Sequence, residues 1–314
     1  MIDHFGRDIT YLRLSVTDLC NLRCKYCMPA EGITKRRHTD ILSIEEIEEL
    51  VCAAASLGVK KVRITGGEAL VRRGIVDICR RVAATPGVTE TCLTTNGTLL
   101  GSYAASLREA GVSRLNISLD TLNHVRYRDI TRGGELDTAL DGINAARQAG
   151  FDNIKINAVL MRGENDGEIR ELVNMTRDTA THVRFIELMP VGSMSEWSKE
   201  HFLENSAVLR VIPELEPAEN DGVARSYRLP GAIGTVGLIS PVSSHFCLSC
   251  NRIRITADGK LKPCLHSSDE VSLRGLHGDE LLSTMQNAIF NKPKRHHIDG
   301  GKSDSARDMF AIGG

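Results

Sequence analysis

The stretch TDLCNLRCKYCMPAEG, residues 17–32, contains three cysteines with the spacing Cys20-x3-Cys24-x2-Cys27. Three thiolates can hold three irons of a 4Fe-4S cube, and the fourth iron then stays open to another ligand. A structural zinc site takes four closed ligands, and an electron-carrier cluster normally takes four cysteines. The triad therefore predicts a cluster that binds and reduces a small molecule; zinc, or thiols without a metal, is the alternative.

Short runs rich in β-branched residues alternate with helical patterns up to residue 189, and the triad follows the first run. The six runs are 11–17, 61–66, 91–96, 114–120, 154–161 and 182–189. The clearest helical pattern, 43–57, opens with a capping box at Ser43 and Glu46 and stops at Gly58. This alternation predicts an α/β fold with a partial (β/α)6 TIM-like barrel; a doubly wound open sheet is the alternative.

One side of the predicted strands is polar. The polar residues that alternate with apolar ones are Arg13, Ser15, Thr17, Arg63, Thr65, Asn116, Ser118, Asp120, Lys155 and Asn157. Burying each of these groups without a partner would cost a few kcal/mol, which a packed barrel interior does not allow. We therefore expect an open lumen that holds a polar ligand.

Composition restricts the class of protein. The 314 residues carry 39 basic and 40 acidic side chains, a net charge of −1, so we expect no nucleic-acid partner and no membrane partner. We find neither a signal sequence nor an apolar run of about 18 residues, and we expect a cytoplasmic protein with reduced cysteines. Cys52, Cys79 and Cys92 stand singly in helix or strand patterns and are predicted to be core residues.

From about residue 215 the sequence changes to short pieces punctuated by glycine and proline. We expect two domains, a barrel over 1–214 and a smaller C-terminal iron-sulfur domain over 215–314. A second triad lies in the latter, with the spacing Cys247-x2-Cys250-x13-Cys264. It predicts a second cluster, although a Cys3His zinc site completed by His266 is the alternative.

Two arginines follow the second cysteine pair. Arg252 and Arg254 flank Ile253, so both guanidinium groups lie on one side of an extended strand. A single arginine is usually a solvated surface residue. Two guanidinium groups held side by side next to a cluster are instead suited to bind a chain of phosphates.

The first triad resembles the signature of the radical S-adenosylmethionine (SAM) enzymes, in which SAM chelates the open iron and yields a 5′-deoxyadenosyl radical. Both triads, the six strand-helix units and the final Gly313-Gly314 together resemble the GTP 3′,8-cyclases of molybdenum cofactor (molybdopterin) biosynthesis. That resemblance implies a lyase that converts GTP to (8S)-3′,8-cyclo-7,8-dihydroguanosine 5′-triphosphate. It also implies two 4Fe-4S clusters, held by the six cysteines of the triads.

The resemblance assigns residues as well. It implies SAM contacts at Tyr26, Gly67, Ser118 and Met189. It implies GTP contacts at Arg13, Arg63, Thr94, Lys155, Arg252, Ile253 and Arg254. Gly313 and Gly314 are expected to enter the lumen and to be essential, and no acid-base residue can be assigned. Ala69 departs from the proline usual after Gly-Gly-Glu, which loosens that turn.

The implied partners are GTP, an electron donor such as a flavodoxin or ferredoxin, and the next enzyme, cyclic pyranopterin monophosphate synthase; a homodimer is compatible with the sequence. Two other functions stay open. One is a radical SAM maturase of a peptide or protein with an auxiliary cluster. The other is a non-catalytic iron-sulfur protein, either an electron carrier or a redox sensor, which would leave the polar lumen without a role.

Overall fold

A computed structural model of the chain describes residues 1–34, 36–296, 298 and 302–313, with only the backbone of His38. Its strands are β1 (Tyr11–Ser15), β2 (Lys61–Thr65), β3 (Glu90–Thr95), β4 (Arg114–Ser118), β5 (Lys155–Leu160), β6 (His182–Glu187), β7 (Glu216–Pro217), β8 (Arg225–Arg228), β9 (Thr235–Ile239), β10 (Arg252–Ile255), β11 (Lys260–Lys262) and β12 (Val271–Ser272). The six strands predicted before residue 190 are confirmed as β1–β6.

The helices lie between these strands. They are α1 (Ile44–Ser56), α2 (Ile75–Ala84), α3 (Leu100–Glu109), α4 (His124–Thr131), α5 (Leu136–Gln148), α6 (Ile169–Asn174), α7 (Ser195–Glu200), α8 (Ser206–Val211), α9 (Gly278–Phe290) and α10 (Met309–Ile312). The capping box that opens α1 is confirmed: the Glu46 amide donates to Ser43 Oγ at 3.1 Å, and the Ser43 amide donates to Glu46 Oε2 at 2.7 Å. These bonds satisfy amides that have no partner inside the helix.

All strands belong to one sheet, with the order β12-β11-β10-β1-β2-β3-β4-β5-β6-β9-β8-β7. The block from β10 to β9 is parallel throughout. Within the described residues β9 and β10 are not neighbours, so the barrel is not closed. The partial barrel is confirmed, and two strands from beyond residue 214 extend it at opposite edges. The division into domains at 214 and 215 stays a prediction.

The connection between β9 and β10 must cross the open side of the barrel. Because both strands point the same way, residues 240–251 return from the carboxyl end of β9 to the amino end of β10. This segment carries Cys247 and Cys250. By the lumen we mean the space on the polar face of the curved sheet. The topology thus brings two cysteines of the second triad to its opening, and Cys264 follows β11, which pairs antiparallel with β10.

The two faces of the sheet differ as the strand pattern predicts. On one face Leu12 is paired in register with Val62 and Ile253, and all three are fully buried in the apolar core under the helices. Arg13 and its register partners lie on the opposite, lumen face. Within the described part of the chain, no helix has the length and apolar character required to cross a membrane.

The single cysteines only partly match their prediction. Cys79 is buried in the core, as expected. Cys52 is exposed, so its prediction is wrong: it lies on the outer side of α1. Cys92 is buried, but its thiol donates to Glu90 Oε1 at 3.3 Å rather than packing in the apolar core.

Candidate active site

The first triad lies in the loop that follows β1. The Cys27 amide donates to the Cys24 carbonyl at 2.9 Å, and the Leu22 amide donates to Cys20 Sγ at 3.4 Å. The Arg23 and Lys25 amides donate to carbonyls at the end of α4, which holds the loop against that helix. The loop therefore has a defined shape that depends on backbone hydrogen bonds within the protein.

The three thiols fit a cluster with one open iron. Burial raises the pKa of Cys27 to about 12, and the neighbouring Cys20 raises it further; burial also raises the pKa of Cys20 to about 11 and that of Cys24. Iron binding must displace these protons. Among the described residues no three His, Cys, Asp or Glu side chains converge on one ion. A 4Fe-4S cube places each cysteine on a different iron, so its sulfurs need not converge.

The Gly66-Gly67 turn after β2 packs against the start of this loop. The Gly67 amide donates to the Thr17 carbonyl at 2.8 Å. A Cβ on Gly66 would lie 2.6 Å from that carbonyl oxygen, and one on Gly67 would lie 2.5 Å from the Leu19 oxygen. Only glycine permits this approach. Ala69 is buried in the short 3₁₀ turn that follows.

The residues implied as SAM contacts gather at the carboxyl ends of the strands. Ser118 ends β4, Gly67 follows β2, Met189 follows β6, and Tyr26 lies between two cysteines of the loop. The Tyr26 hydroxyl donates to Asp120 Oδ2 at 2.8 Å, and Asp120 also accepts from the Val159 amide at 2.8 Å. Asp120 thus fixes Tyr26, a role that was not predicted, although its place on the polar face was.

A cluster of cations lies nearer the amino ends of the strands. Arg254, Arg13 and Arg63 are direct register partners on β10, β1 and β2 and share the lumen face. Arg252 and Tyr11 form the neighbouring row, with the Arg252 guanidinium 5.5 Å from the Tyr11 ring centroid. Arg63 Nε donates to the Tyr11 hydroxyl. Ile253, between the two arginines, packs in the apolar core, so any ligand contact from it would use the backbone.

The electrostatics of this cluster show an excess of positive charge. Burial lowers the pKa of Arg254 to about 10, and Arg252 adds to the shift. Burial and then Arg254 also hold the pKa of Arg13 well below its usual range. Although burial alone would raise it, the pKa of Tyr11 falls to about 8, since Arg63, Arg13 and Arg252 stabilise the phenolate. An anionic ligand would relieve this repulsion.

Several buried lumen atoms lack a hydrogen-bond partner within the described chain. They are Arg63 Nη1, Arg252 Nε, Thr94 Oγ1, Asn116 Oδ1 and Asn157 Oδ1. Thr94, Asn116 and Lys155 form one register row across three strands. Buried polar groups are normally paired, so this set of donors and acceptors fits a polar ligand with phosphate and base groups.

Lys155 lies beside two residues that the sequence analysis did not predict as part of the site, Asp221 and Arg184. Its ammonium group donates to Asp221 Oδ2, and Arg184 Nη2 donates to the same oxygen at 2.5 Å. Arg184 lies on β6 and alternates with buried Val183 and Phe185, so the polar-face pattern could have identified it. Asp221 lies in the hairpin between β7 and β8, and no local pattern signals its position.

One cysteine of the second triad, Cys247, is held by an arginine from the other end of the chain. Arg7 donates to the carbonyls of Cys247, Lys292, Pro293 and Lys294 and forms a buried ion pair with Asp3. The three thiols are partly exposed, and the thiols of Cys250 and Cys264 lie near enough to Arg254 to act on its pKa. This partly exposed triad beside cations fits an anionic cluster open to the lumen. His266, the zinc alternative, is buried, with Nδ1 3.1 Å from Ser303 Oγ.

The C-terminal segment enters the lumen. The Gly313 carbonyl accepts from Arg254 Nη1 at 2.8 Å and from Arg13 Nε at 3.3 Å. Gly313 has φ +80°, and a Cβ there would lie 2.8 Å from Thr65 Cγ2. Gly314 lies outside the described residues.

Residues 14–176 match the model of the Radical SAM superfamily, and residues 181–298 match Molybdenum Cofactor Synthesis C. The crystal structure of SuiB from Streptococcus suis has a TM-score of 0.61 to this chain at 14% sequence identity. The match covers 97% of this chain and 77% of the SuiB chain. That likeness supports the fold, and the superfamily match defines a radical SAM protein.

Relatives of higher sequence identity identify the family within this superfamily. GTP 3′,8-cyclase of Alkaliphilus metalliredigens is 49% identical over 320 aligned positions, and that of Geobacter sulfurreducens is 48% identical over 324. Each alignment covers the whole of this chain and at least 99% of the relative. The chain belongs to the GTP 3′,8-cyclase family, which confirms the resemblance read from its two cysteine triads.

Proposed function

We propose that this protein catalyses the radical cyclisation of GTP to (8S)-3′,8-cyclo-7,8-dihydroguanosine 5′-triphosphate in the lumen, the first step of molybdenum cofactor biosynthesis. Its cofactors are two 4Fe-4S clusters and SAM. The observation that carries the proposal is the cationic lumen. Among the described residues, Arg63 and Arg252 keep buried nitrogens without a hydrogen-bond partner, and Arg254, in register with Arg13, lies close to Cys250 and Cys264 of the second triad.

At the carboxyl ends, Cys20, Cys24 and Cys27 would hold the first cluster, which when bound supplies the electron that cleaves SAM. Tyr26, Gly67, Ser118 and Met189 hold SAM there, with Tyr26 fixed by Asp120. The chain's task is to orient one C–H bond toward the cofactor and to exclude other hydrogen donors.

Nearer the amino ends, the cationic residues bind the triphosphate of GTP. These residues are Arg13, Arg63, Lys155, Arg252 and Arg254. Thr94, and Ile253 through its backbone, would contact the rest of the nucleotide. Cys247, Cys250 and Cys264 would hold the second cluster at the opening of the lumen, against the guanine. The carbonyl of Gly313 keeps Arg13 and Arg254 in place, and we propose the same purpose for Gly314.

We further propose a cytoplasmic enzyme that receives electrons from a flavodoxin or ferredoxin and delivers its product to cyclic pyranopterin monophosphate synthase. A homodimer is compatible with this function. Each of these proposals extends the family assignment and requires its own binding measurement.

Anaerobic reduction with dithionite in the presence of SAM and GTP tests the proposed activity. We expect 5′-deoxyadenosine together with a cyclised guanine product. 5′-Deoxyadenosine without conversion of GTP would favour a peptide or protein maturase, and formation of neither product would favour an electron carrier or sensor. ATP in place of GTP serves as the matched control, because it presents the same triphosphate with a different base.

A further inference from the structure

The hairpin between β7 and β8 carries Asp221, whose carboxylate contacts Lys155 and Arg184 at the side of the lumen. One oxygen of Asp221, Oδ2, accepts from both Lys155 Nζ and Arg184 Nη2. Lys155 is 2% exposed and the side chain of Arg184 is 11% exposed, whereas the side chain of Asp221 is 46% exposed. The cations are therefore fixed in the lumen wall, and the carboxylate reaches them from the solvent side.

An oxygen shared by an ammonium and a guanidinium group is also how a phosphate oxygen binds. We infer that Asp221 is an internal counterion that occupies a phosphate position on Lys155 and Arg184 and is displaced by the triphosphate of the substrate. It sets specificity, because an anion must carry enough charge to compete with the carboxylate. This inference rests on the proposed function, which places the triphosphate at Lys155.

The hairpin can release the carboxylate without unfolding. Its own hydrogen bonds centre on buried Ser226: the Ala218 amide donates to the Ser226 carbonyl at 2.8 Å, and the Ser226 amide donates to Asn220 Oδ1 at 3.0 Å. The Asp221 amide also donates to Ser226 Oγ at 3.3 Å, so its backbone is held in the hairpin. The ion pairs of its carboxylate are separate from this set, so only the side chain has to move. Burial raises the pKa of Asp221, but Arg184, Lys155 and Arg114 outweigh burial and hold that pKa below its usual value, so the carboxylate stays charged and competes at neutral pH.

Removal of the competing charge should tighten anion binding. With cluster-loaded protein under anaerobic calorimetry, Asp221→Asn is expected to bind GTP and inorganic tripolyphosphate about tenfold more tightly, since the charged carboxylate no longer has to be displaced from Lys155 and Arg184. Guanosine, which has no phosphate, should bind as it does to the wild-type protein. Asp221→Glu, which keeps the charge, should restore wild-type affinity for GTP.

Glu219→Gln is the matched control, because Glu219 is exposed in the same hairpin and its loss changes the net charge equally. It should leave all three affinities within a factor of about two. Unchanged or weaker GTP binding by Asp221→Asn would overturn the inference, and so would equal gains from Glu219→Gln and Asp221→Asn.

Lys155→Ala separates this inference from the proposed function. If Lys155→Ala weakens GTP binding while Asp221→Asn leaves it unchanged, the triphosphate site stands and the counterion role is overturned. If Lys155→Ala has no effect on GTP in either the wild-type or the Asp221→Asn background, the triphosphate lies elsewhere, which overturns both.

Discussion

The two ends of the lumen differ in how their buried polar groups are satisfied. At the carboxyl ends, Glu68 accepts from the Leu70 amide, Thr95 Oγ1 and the Asn96 amide, and Asp120 accepts from Tyr26 and Val159. Nearer the amino ends, Arg63 and Arg252 keep buried nitrogens without a partner in the described chain. The carboxylates of the first region are satisfied within the protein, whereas the second region keeps donors that, under the proposed function, an anion would satisfy.

This difference has an energetic consequence. Several guanidinium groups share one buried face, so their mutual repulsion opposes folding until a counterion binds. A ligand that binds only the folded chain raises its stability by mass action. We therefore expect phosphate-bearing ligands to stabilise the protein through the cationic end, whereas the cysteine loop depends on iron.

The largest expected effect comes from the first triad. Cys20→Ala, Cys24→Ala or Cys27→Ala should abolish reductive cleavage of SAM, because each thiolate would hold one iron of the cofactor-binding cluster. The measurement is 5′-deoxyadenosine formed per protein, with iron content determined in parallel. Retained formation of 5′-deoxyadenosine in any of these variants would contradict the assignment.

Variants of the second triad should behave differently from variants of the first. Cys247→Ala, Cys250→Ala or Cys264→Ala should leave SAM cleavage in place and remove GTP cyclisation, since these cysteines lie at the cationic end. If both sets of variants lose SAM binding equally, the two ends do not divide the labour as proposed.

A smaller loss is expected from Arg252, whose buried Nε has no hydrogen-bond partner within the described part of the chain. Charge-assisted hydrogen bonds to phosphate contribute about 1.5–3 kcal/mol. Arg252→Ala should therefore weaken GTP about ten- to 150-fold by calorimetry and leave guanosine unchanged. Arg252→Ala and Arg254→Ala together should weaken GTP further, but Arg254 also holds Gly313, so the single variant is the cleaner test.

Exposed Arg80, on α2, gives the control for Arg252, because this helix packs on the face of the sheet opposite the lumen. Arg80→Ala removes the same charge on the helix side and should not change GTP affinity. Equal weakening of GTP and guanosine by Arg252→Ala would show that Arg252 has a structural role.

The sequence predicts the carboxyl-end region better than the cationic one, for a physical reason. The cysteine spacing, the Gly66-Gly67 turn and the strand alternation are all local patterns. The structure confirms the strand alternation and places the cysteine loop after β1 and the glycine turn after β2. Arg13 and Arg63 follow from the period of two along a strand. Their pairing with Arg254 depends on β10 joining β1, which no local pattern encodes.

Two of the residues that the sequence analysis did not predict contact partners that are far away along the chain. Asp221 meets Lys155 across 66 positions, and Arg7 meets Cys247 across 240. Arg184 was overlooked although it alternates correctly on its strand. The prediction that Cys52 is a core residue failed because it did not apply the helical period, which places position 52 opposite the buried residues Ile47, Leu50 and Ala54 of α1.

The C-terminal segment up to Gly313 lies in the lumen, and a substitution there should have a moderate effect on product formation. Gly313→Ala places a side chain in the left-handed region, which costs about 1–2 kcal/mol, and brings Cβ against Thr65. A five- to thirtyfold loss of cyclised product is expected at about that cost, with slow SAM cleavage retained. A synthetic peptide ending in MFAIGG should restore part of the product.

Gly150→Ala is the control for backbone strain alone, because Gly150 also has positive φ but a Cβ there would meet no neighbouring atom within 4 Å. It should lower thermal stability without changing product yield per folded protein. Normal product yield from Gly313→Ala would show that the tail contact is dispensable.

The smallest predicted effect is a dependence of GTP binding on pH. Burial, and then Arg184, lower the pKa of Lys155 to about 8, and the pKa of Tyr11 also lies at about 8 because three arginines outweigh its burial. Below that pH the lysine is charged and the tyrosine neutral, and both states favour a triphosphate. Above it Lys155 loses its charge and Tyr11 gains a negative one, so affinity should fall.

Each group can contribute up to about tenfold between about pH 7 and about pH 9, since a bound polyanion holds Lys155 protonated and Tyr11 neutral. Calorimetry of GTP binding across this range measures the fall. Because GTP itself titrates there, the informative quantity is the ratio of wild-type to variant affinity at each pH. Tyr11→Phe and Lys155→Arg should each give a flatter profile than the wild-type protein. Profiles parallel to that of the wild-type protein in both variants would show that neither group titrates at the triphosphate, and the contrast between the two ends of the lumen would then rest on the arginines alone.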